Sequence, residues 1–171
     1  VPDLDRLGIP ATELAELRAL LAEGSGLILL LGRPGSGRTS TMYSLLLAPE
    51  LAGRRIATFE NPIEIKLENV AQYEIDPYGG HPLSKLLGAA INNGADTLAI
   101  GTLADPESAG IAVGFARSGH LVIAQIDCAT PLEAFAKFEK WEITPRMFAG
   151  IPMALLSQAL ARRNDGGMAA V

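Results

Sequence analysis

The sequence predicts an α/β fold in which a mostly parallel sheet carries helices on both faces. Three observations predict it. Short runs of branched aliphatic residues, at 27–31, 97–101 and 120–126, read as strands buried on both sides. Helix-compatible segments with their own start and stop residues lie between them, so strands and helices alternate along the chain. The first run, Leu27 to Leu31, leads directly into a glycine-rich loop, Gly32 to Thr39, that opens a helix. Right-handed crossovers between parallel strands then put a ligand at the carboxyl ends of the strands.

Leu14, Leu17, Leu20 and Leu21 recur at helical spacing between Pro10 and Glu23, with Thr12 as N-cap and Gly24 as stop. The helix after the glycine-rich loop spans about Gly37 to Leu47, and Pro49 and Gly53 mark a loop. Arg55 to Phe59 form a second strand that ends in Glu60-Asn61-Pro62-Ile63-Glu64. The mixed pattern of Leu67, Val70, Tyr73 and Ile75 suits a short edge strand or a hairpin arm, and Asp76 to Gly80 is a turn cluster. Pro82 to Asn92 is a helix and Thr97 to Gly101 a strand; Asp105-Pro106 caps and opens the next helix, which Gly119 closes. His120 to Ile126 is a strand and Pro131 to Trp141 a helix. Thr144-Pro145 opens a last helix that runs to about Arg163 with a kink at Pro152, and residues 164–171 read as a frayed, flexible tail. Residues 1–163 thus read as one domain.

Composition narrows the function. A chain of 171 residues suffices for one full core. Its hydrophobic fraction is 49%, yet no apolar run nears the ~20 residues of a membrane helix, which predicts a soluble protein without direct membrane insertion. Val1 opens a polar turn, which predicts no secretory leader, and a first residue other than Met predicts an excised fragment. The single cysteine, Cys128, forbids an internal disulfide, fits a reducing cytoplasm and reads as a small buried filler. Net charge is −5 with no basic stripe, which argues against nucleic acid as a partner.

The loop GRPGSGRTS has the spacing G-x-x-x-x-G-[basic]-[Ser/Thr] of a phosphate-binding P-loop. Gly32, Gly35 and Gly37 supply dihedrals that let backbone N–H groups turn inward around a polyphosphate, with Arg33, Pro34 and Ser36 between them and Ser40 beyond. The partial positive charge of the following helix faces the same anion. Thr39 is placed to ligate Mg²⁺. The basic residue is Arg38, where the motif has Lys, and a planar guanidinium does not fill an ammonium slot equivalently. ATP or ADP with Mg²⁺ is the expected ligand, its binding weak or even absent.

Four collinear blocks, GLILLLGRPGSGRTSTMYSLL, IATFENPIE, DTLAIGTLADPESAGIAVGFARSGHLVIAQI and LLSQALARR, resemble the ATPases of type II secretion and type IV pilus assembly, the GspE/PilB/PilT family, from about Leu4 to Arg163. The resemblance implies a RecA-like P-loop NTPase fold and a missing N-terminal domain. It also implies a homo- or hetero-oligomeric ring, a hexamer, at the cytoplasmic face of an inner-membrane secretion or pilus platform. The family's acidic box falls on Glu60, Asn61, Pro62, Ile63 and Glu64, its Walker B glutamate on Thr102, and the following Arg-Asp pair on Ala104 and Asp105. The histidine box keeps His120 but carries Asp127 at the second histidine, and further family arginines fall on Gly88, Asn92 and Ala159.

These departures share one chemical direction. Hydrolysis needs a carboxylate to orient or deprotonate water, and cations over the transferring phosphoryl group. Each preorganised donor is worth roughly 10²–10³ in rate. The expected function is therefore a catalytically impaired, nucleotide-binding or structural and regulatory ATPase-like domain. The alternative is an active motor that uses Arg38 with Glu60 or Glu64 in altered roles. Glu60 and Glu64 either hold Mg²⁺ or a water or cap a strand end. His120 either senses the γ-phosphate or is structural. Asp105 reads as a helix N-cap, and Phe135, Phe138 and Trp141 as core or subunit contact.

Overall fold

The computed structural model describes residues 1–76, 82–162 and 168–170, so the turn expected at Pro77 to Gly80, and His81 beside it, lie outside the described residues. Six strands form one parallel sheet: β1 (Gly26–Gly32), β2 (Ile56–Glu60), β3 (Ala71–Glu74), β4 (Thr97–Ile100), β5 (Leu121–Asp127) and β6 (Met153–Ser157), in the order β3-β2-β4-β5-β1-β6. The helices are α1 (Ala11–Glu23), α2 (Arg38–Leu46), α3 (Leu83–Asn92), α4 (Pro106–Arg117), α5 (Pro131–Lys140) and the short α6 (Pro145–Phe148). The expected α/β architecture is therefore present.

Alternation along β1 divides the core between the two faces. Leu27, Leu29 and Leu31 face the layer that holds Leu87, Val113, Phe138 and Phe148 from α3, α4, α5 and α6. Ile28 and Leu30 face Leu17 and Leu21 of α1 and Met42, Tyr43 and Leu45 of α2. All five residues are fully buried, as a strand covered on both faces requires. Helices on both faces follow directly from that pattern.

Local chemistry sets the helix ends. Gly24 closes α1 in the left-handed conformation and donates its N–H to the carbonyls of Leu20 and Leu21. The start of α1 differs from expectation: Pro10 occupies the cap, without a side-chain bond, and Thr12 lies inside the first turn. Asp105 caps α4 by accepting from the Ser108 N–H at 2.8 Å, with Pro106 in the first turn. The segment around Tyr73 is an edge strand, β3, parallel to β2.

The largest correction concerns the C-terminal helix. The helix opened by Pro145 ends at Phe148, and Met153–Ser157 is instead the edge strand β6, hydrogen-bonded along β1. Pro152 is therefore no kink; it precedes the strand, and its carbonyl accepts from the Leu27 N–H at 2.9 Å. Pairing with the buried β1 overrides the helical propensity of Met-Ala-Leu-Leu. Beyond it, β7 (Leu160–Arg162) and β8 (Met168–Ala170) form an antiparallel pair, which takes in three of the residues expected in the tail. Among the described residues no helix is long and apolar enough to cross a membrane.

Candidate functional site

β1 brings the chain to the carboxyl edge of the sheet, and α2 carries it away from the intervening loop. Gly37, at the N-cap of α2, has φ of 89°, a conformation that a Cβ resists. Gly32 needs to be glycine for another reason: a Cβ there would lie 2.3 Å from Ser36 Oγ and 2.7 Å from the Gln158 carbonyl oxygen. The segment after β6 passes over the loop at this point. Gln158 donates its backbone N–H to the Leu31 carbonyl at 2.8 Å, and the Thr41 hydroxyl donates to Gln158 Oε1 at 2.8 Å.

A cleft of 580 Å³ lies between Gly32 to Ser36 on one side and Ser157 to Leu160 on the other. Helix α2 begins without a side-chain cap, so its first N–H groups and its partial positive end are available to an anion. Ser36 is 7% exposed, and its hydroxyl has no hydrogen-bond partner among the described residues. Leaving such a group unsatisfied costs roughly 1–3 kcal/mol. A phosphate oxygen would satisfy it, so the cradle fits the phosphate part of a nucleotide. Thr39 is half-buried on the first turn of α2, whereas Arg33, Pro34, Gly35 and Ser40 are exposed.

Arg38 is held elsewhere. Its side chain is buried, donates from Nη1 to the Ile126 carbonyl at 2.7 Å, and pairs through Nη2 with the Asp127 carboxylate. Asp127 is the register partner of Gly32, one strand away from the start of the loop. Lys137 of α5 donates from Nζ to the Asp127 carbonyl at 2.7 Å. Two cations thus meet at the end of β5. Cys128, next in the chain, is buried, and burial pushes its thiol pKa up, as suits an inert filler.

Glu60, 2% exposed, is fully engaged. One carboxyl oxygen accepts from the Tyr43 hydroxyl, and the other from Thr58 Oγ1 at 2.6 Å and Gln72 Nε2 at 3.2 Å. The same partners hold the following segment: Ile65 N–H donates to the Tyr43 hydroxyl at 3.3 Å, Gln72 Nε2 donates to the Ile65 carbonyl, and Leu67 N–H donates to Gln72 Oε1. Glu60 therefore pins a loop, while Glu64 sits exposed within it. Burial, then the Glu60 bond, push the Tyr43 pKa from 10.0 up to about 12. Because the folded value is the higher one, this stabilisation is complete below pH ~10 and lost as pH rises towards ~12, about 2–3 kcal/mol in all. Urea unfolding at pH 9 and pH 11.5 should show that loss in the native sequence and a flatter profile in Tyr43→Phe.

Two further sequence-predicted positions have side chains engaged locally. Thr102 is exposed, and its hydroxyl donates to the carbonyl of its own neighbour Gly101 at 2.7 Å. His120 lies at the amino edge of the sheet, where its carbonyl accepts from the Gly26 N–H, about 20 Å from the loop by strand rise over six residues. Its ring stacks on Phe115 with centroids 4.3 Å apart, and its Nδ1 lies 3.0 Å from the Ser118 hydroxyl. Within its own chain His120 therefore stands away from Gly32 to Thr39, engaged with Phe115 and Ser118. The residues that sequence reasoning passed over are Tyr43, Gln72 and Lys137, whose partners Glu60 and Asp127 lie on other elements; Gln158, expected on a helix, instead reaches back to Thr41 of α2. Among the described residues no cluster of three or more His, Cys, Asp or Glu side chains could hold a metal ion.

The family described as "Type II/IV secretion system protein" matches residues 1–167. The chain is 30% identical over 161 residues to the type II secretion system protein E of Klebsiella pneumoniae, covering 94% of this chain and 32% of that protein. It is 31% identical over 160 residues to the protein of the same name from Dickeya dadantii, covering 94% and 32%. The chain thus spans about a third of the length of these curated relatives. Among solved structures, the pilus retraction motor PilT with bound ADP superposes with a TM-score of 0.79 at 24% identity, over 99% of this chain and 51% of that one. That likeness concerns the fold.

Proposed function

The chain belongs to the type II/IV secretion system protein family, and from that premise we propose that it is a nucleotide-binding domain with impaired hydrolytic machinery. In this reading it serves a type II secretion or type IV pilus system as a structural or regulatory component, within a ring at the cytoplasmic face of an inner-membrane platform. The observation that carries the reading is Thr102, where the resemblance puts the family's Walker B glutamate, with its hydroxyl turned onto Gly101. A hydroxyl with an ordinary alcohol pKa takes no proton from water at pH 7.

The phosphates of ATP or ADP would rest on the backbone N–H groups of Gly32 to Thr39 and on the Ser36 hydroxyl, with the Thr39 hydroxyl towards Mg²⁺. Bound Mg-ATP supplies a phosphoanhydride whose terminal phosphoryl group can pass to water. Both oxygens of Glu60 are committed to Tyr43, Thr58 and Gln72, which supports a reading in which that water lacks its usual acidic-box partner. The PilT structure carries ADP, and the unpartnered Ser36 hydroxyl favours the same ligand class for this chain.

Thermal unfolding with millimolar Mg-ATP, beside steady-state phosphate release from the full-length protein, tests the proposal. The melting temperature should rise, by about 2.7 kcal/mol of stabilisation at 100 times Kd, while phosphate release stays at background. Brisk release that Arg38→Ala abolishes would establish a working motor instead. An unmoved melting curve would leave the loop a structural turn.

A further inference from the structure

We propose that Asp127 sets the phosphate selectivity of the Gly32 to Thr39 loop by withholding Arg38 from it, an inference that rests on reading the loop as a phosphate site. In the P-loop motif the basic residue reaches the β and γ phosphates. Here that residue is the first of α2, yet its guanidinium is committed to the end of β5, to the Ile126 carbonyl at 2.7 Å and to the Asp127 carboxylate. The cleft is lined by Gly32 to Ser36, by Ser157 to Leu160 and by Ala129, just beyond Asp127, and Arg38 is not among its lining residues. The two acceptors belong to the strand that flanks β1, and Asp127 stands level with Gly32. The carboxylate therefore neutralises the motif's cation at the mouth of the loop.

The loop keeps its backbone N–H groups, the uncapped end of α2 and the Ser36 hydroxyl. These groups hold a diphosphate as well as a triphosphate, because none of them adds a cation for the terminal phosphate. Recruiting Arg38 to a γ-phosphate would break a charge-assisted bond, which lowers affinity roughly tenfold or more. Loss of the Asp127 charge removes that penalty. Arg38 then keeps the Ile126 carbonyl and at most a neutral acceptor at position 127, and is freer to favour ATP.

Isothermal titration with Mg-ATP and Mg-ADP measures this in the native protein, Asp127→Asn, Arg38→Ala and the double variant, with the unfolding curve of each recorded first. The native protein should bind the two nucleotides within about threefold of each other. Asp127→Asn should bind ATP about tenfold tighter and gain less for ADP, and the gain should vanish when Arg38 is alanine. An equal gain in the Arg38→Ala background means that Asp127 acts only as a bare repulsive charge and overturns the proposal. A native protein that already prefers ATP tenfold overturns it too. If no variant binds either nucleotide, the phosphate reading of the loop falls, and this inference with it. Should Asp127→Asn not fold, Asp127→His completes the same cycle.

Discussion

Replacing Glu60 by alanine is expected to destabilise the domain by about 3–5 kcal/mol. The carboxyl group is buried and accepts from three side chains, Tyr43, Thr58 and Gln72. Each donor stranded without water costs roughly 1–3 kcal/mol, and three that share one acceptor group lose less than the sum. The damage should also spread, because Tyr43 and Gln72 hold Ile65 and Leu67 in the loop after β2. Glu60→Gln keeps the shape and part of the accepting capacity and should cost less than half as much. Urea denaturation of both variants measures this. A Glu60→Ala protein of native stability would show that the network contributes little and would return Glu60 to the list of available catalytic carboxylates.

Phe138→Ala should be comparably damaging, about 3–5 kcal/mol by the usual cost of emptying an aromatic core site. The ring is 1% exposed and meets Trp141 and Phe148 edge to face, with centroids 5.8 and 5.1 Å away. It joins α5 to α6 beneath β1. The helix it anchors also carries Lys137, which reaches the carbonyl of Asp127. Phe135, three residues earlier, is 41% exposed, and its alanine variant should cost under about 1 kcal/mol. Equal losses at the two positions would mean that Phe135, which meets Phe148 edge to face at 5.7 Å, contributes more than its exposure implies.

Much of the fold was legible because its strands are buried on both faces and so read as uninterrupted aliphatic runs. The helix caps at Gly24 and Asp105 were equally plain, since each depends on one residue and its immediate neighbours. The edge strand β6 was not legible. Met153 to Leu156 is a short apolar run that periodicity cannot assign, and only its hydrogen bonds to β1 decide it. Gly150 and Pro152 ahead of it were the available sign that the helix had already stopped.

The site was legible in its backbone and not in its side chains. Glycine spacing announced the cradle, but the bond from Arg38 to Asp127 spans 89 residues and no local pattern records it. For His120 the sequence left sensor and structural residue open, although one cue favoured the second: it opens a strand, and ligands in parallel sheets gather where strands end.

Gln158 fastens two things together, the end of β1 through its N–H and the start of α2 through Thr41, while its carbonyl lies close over Gly32. A ligand that shifts the first turns of α2 must therefore pull on the outermost strand as well. The rim of the sheet, nominally its least constrained part, becomes the lever through which events in the cradle are felt at the molecular surface.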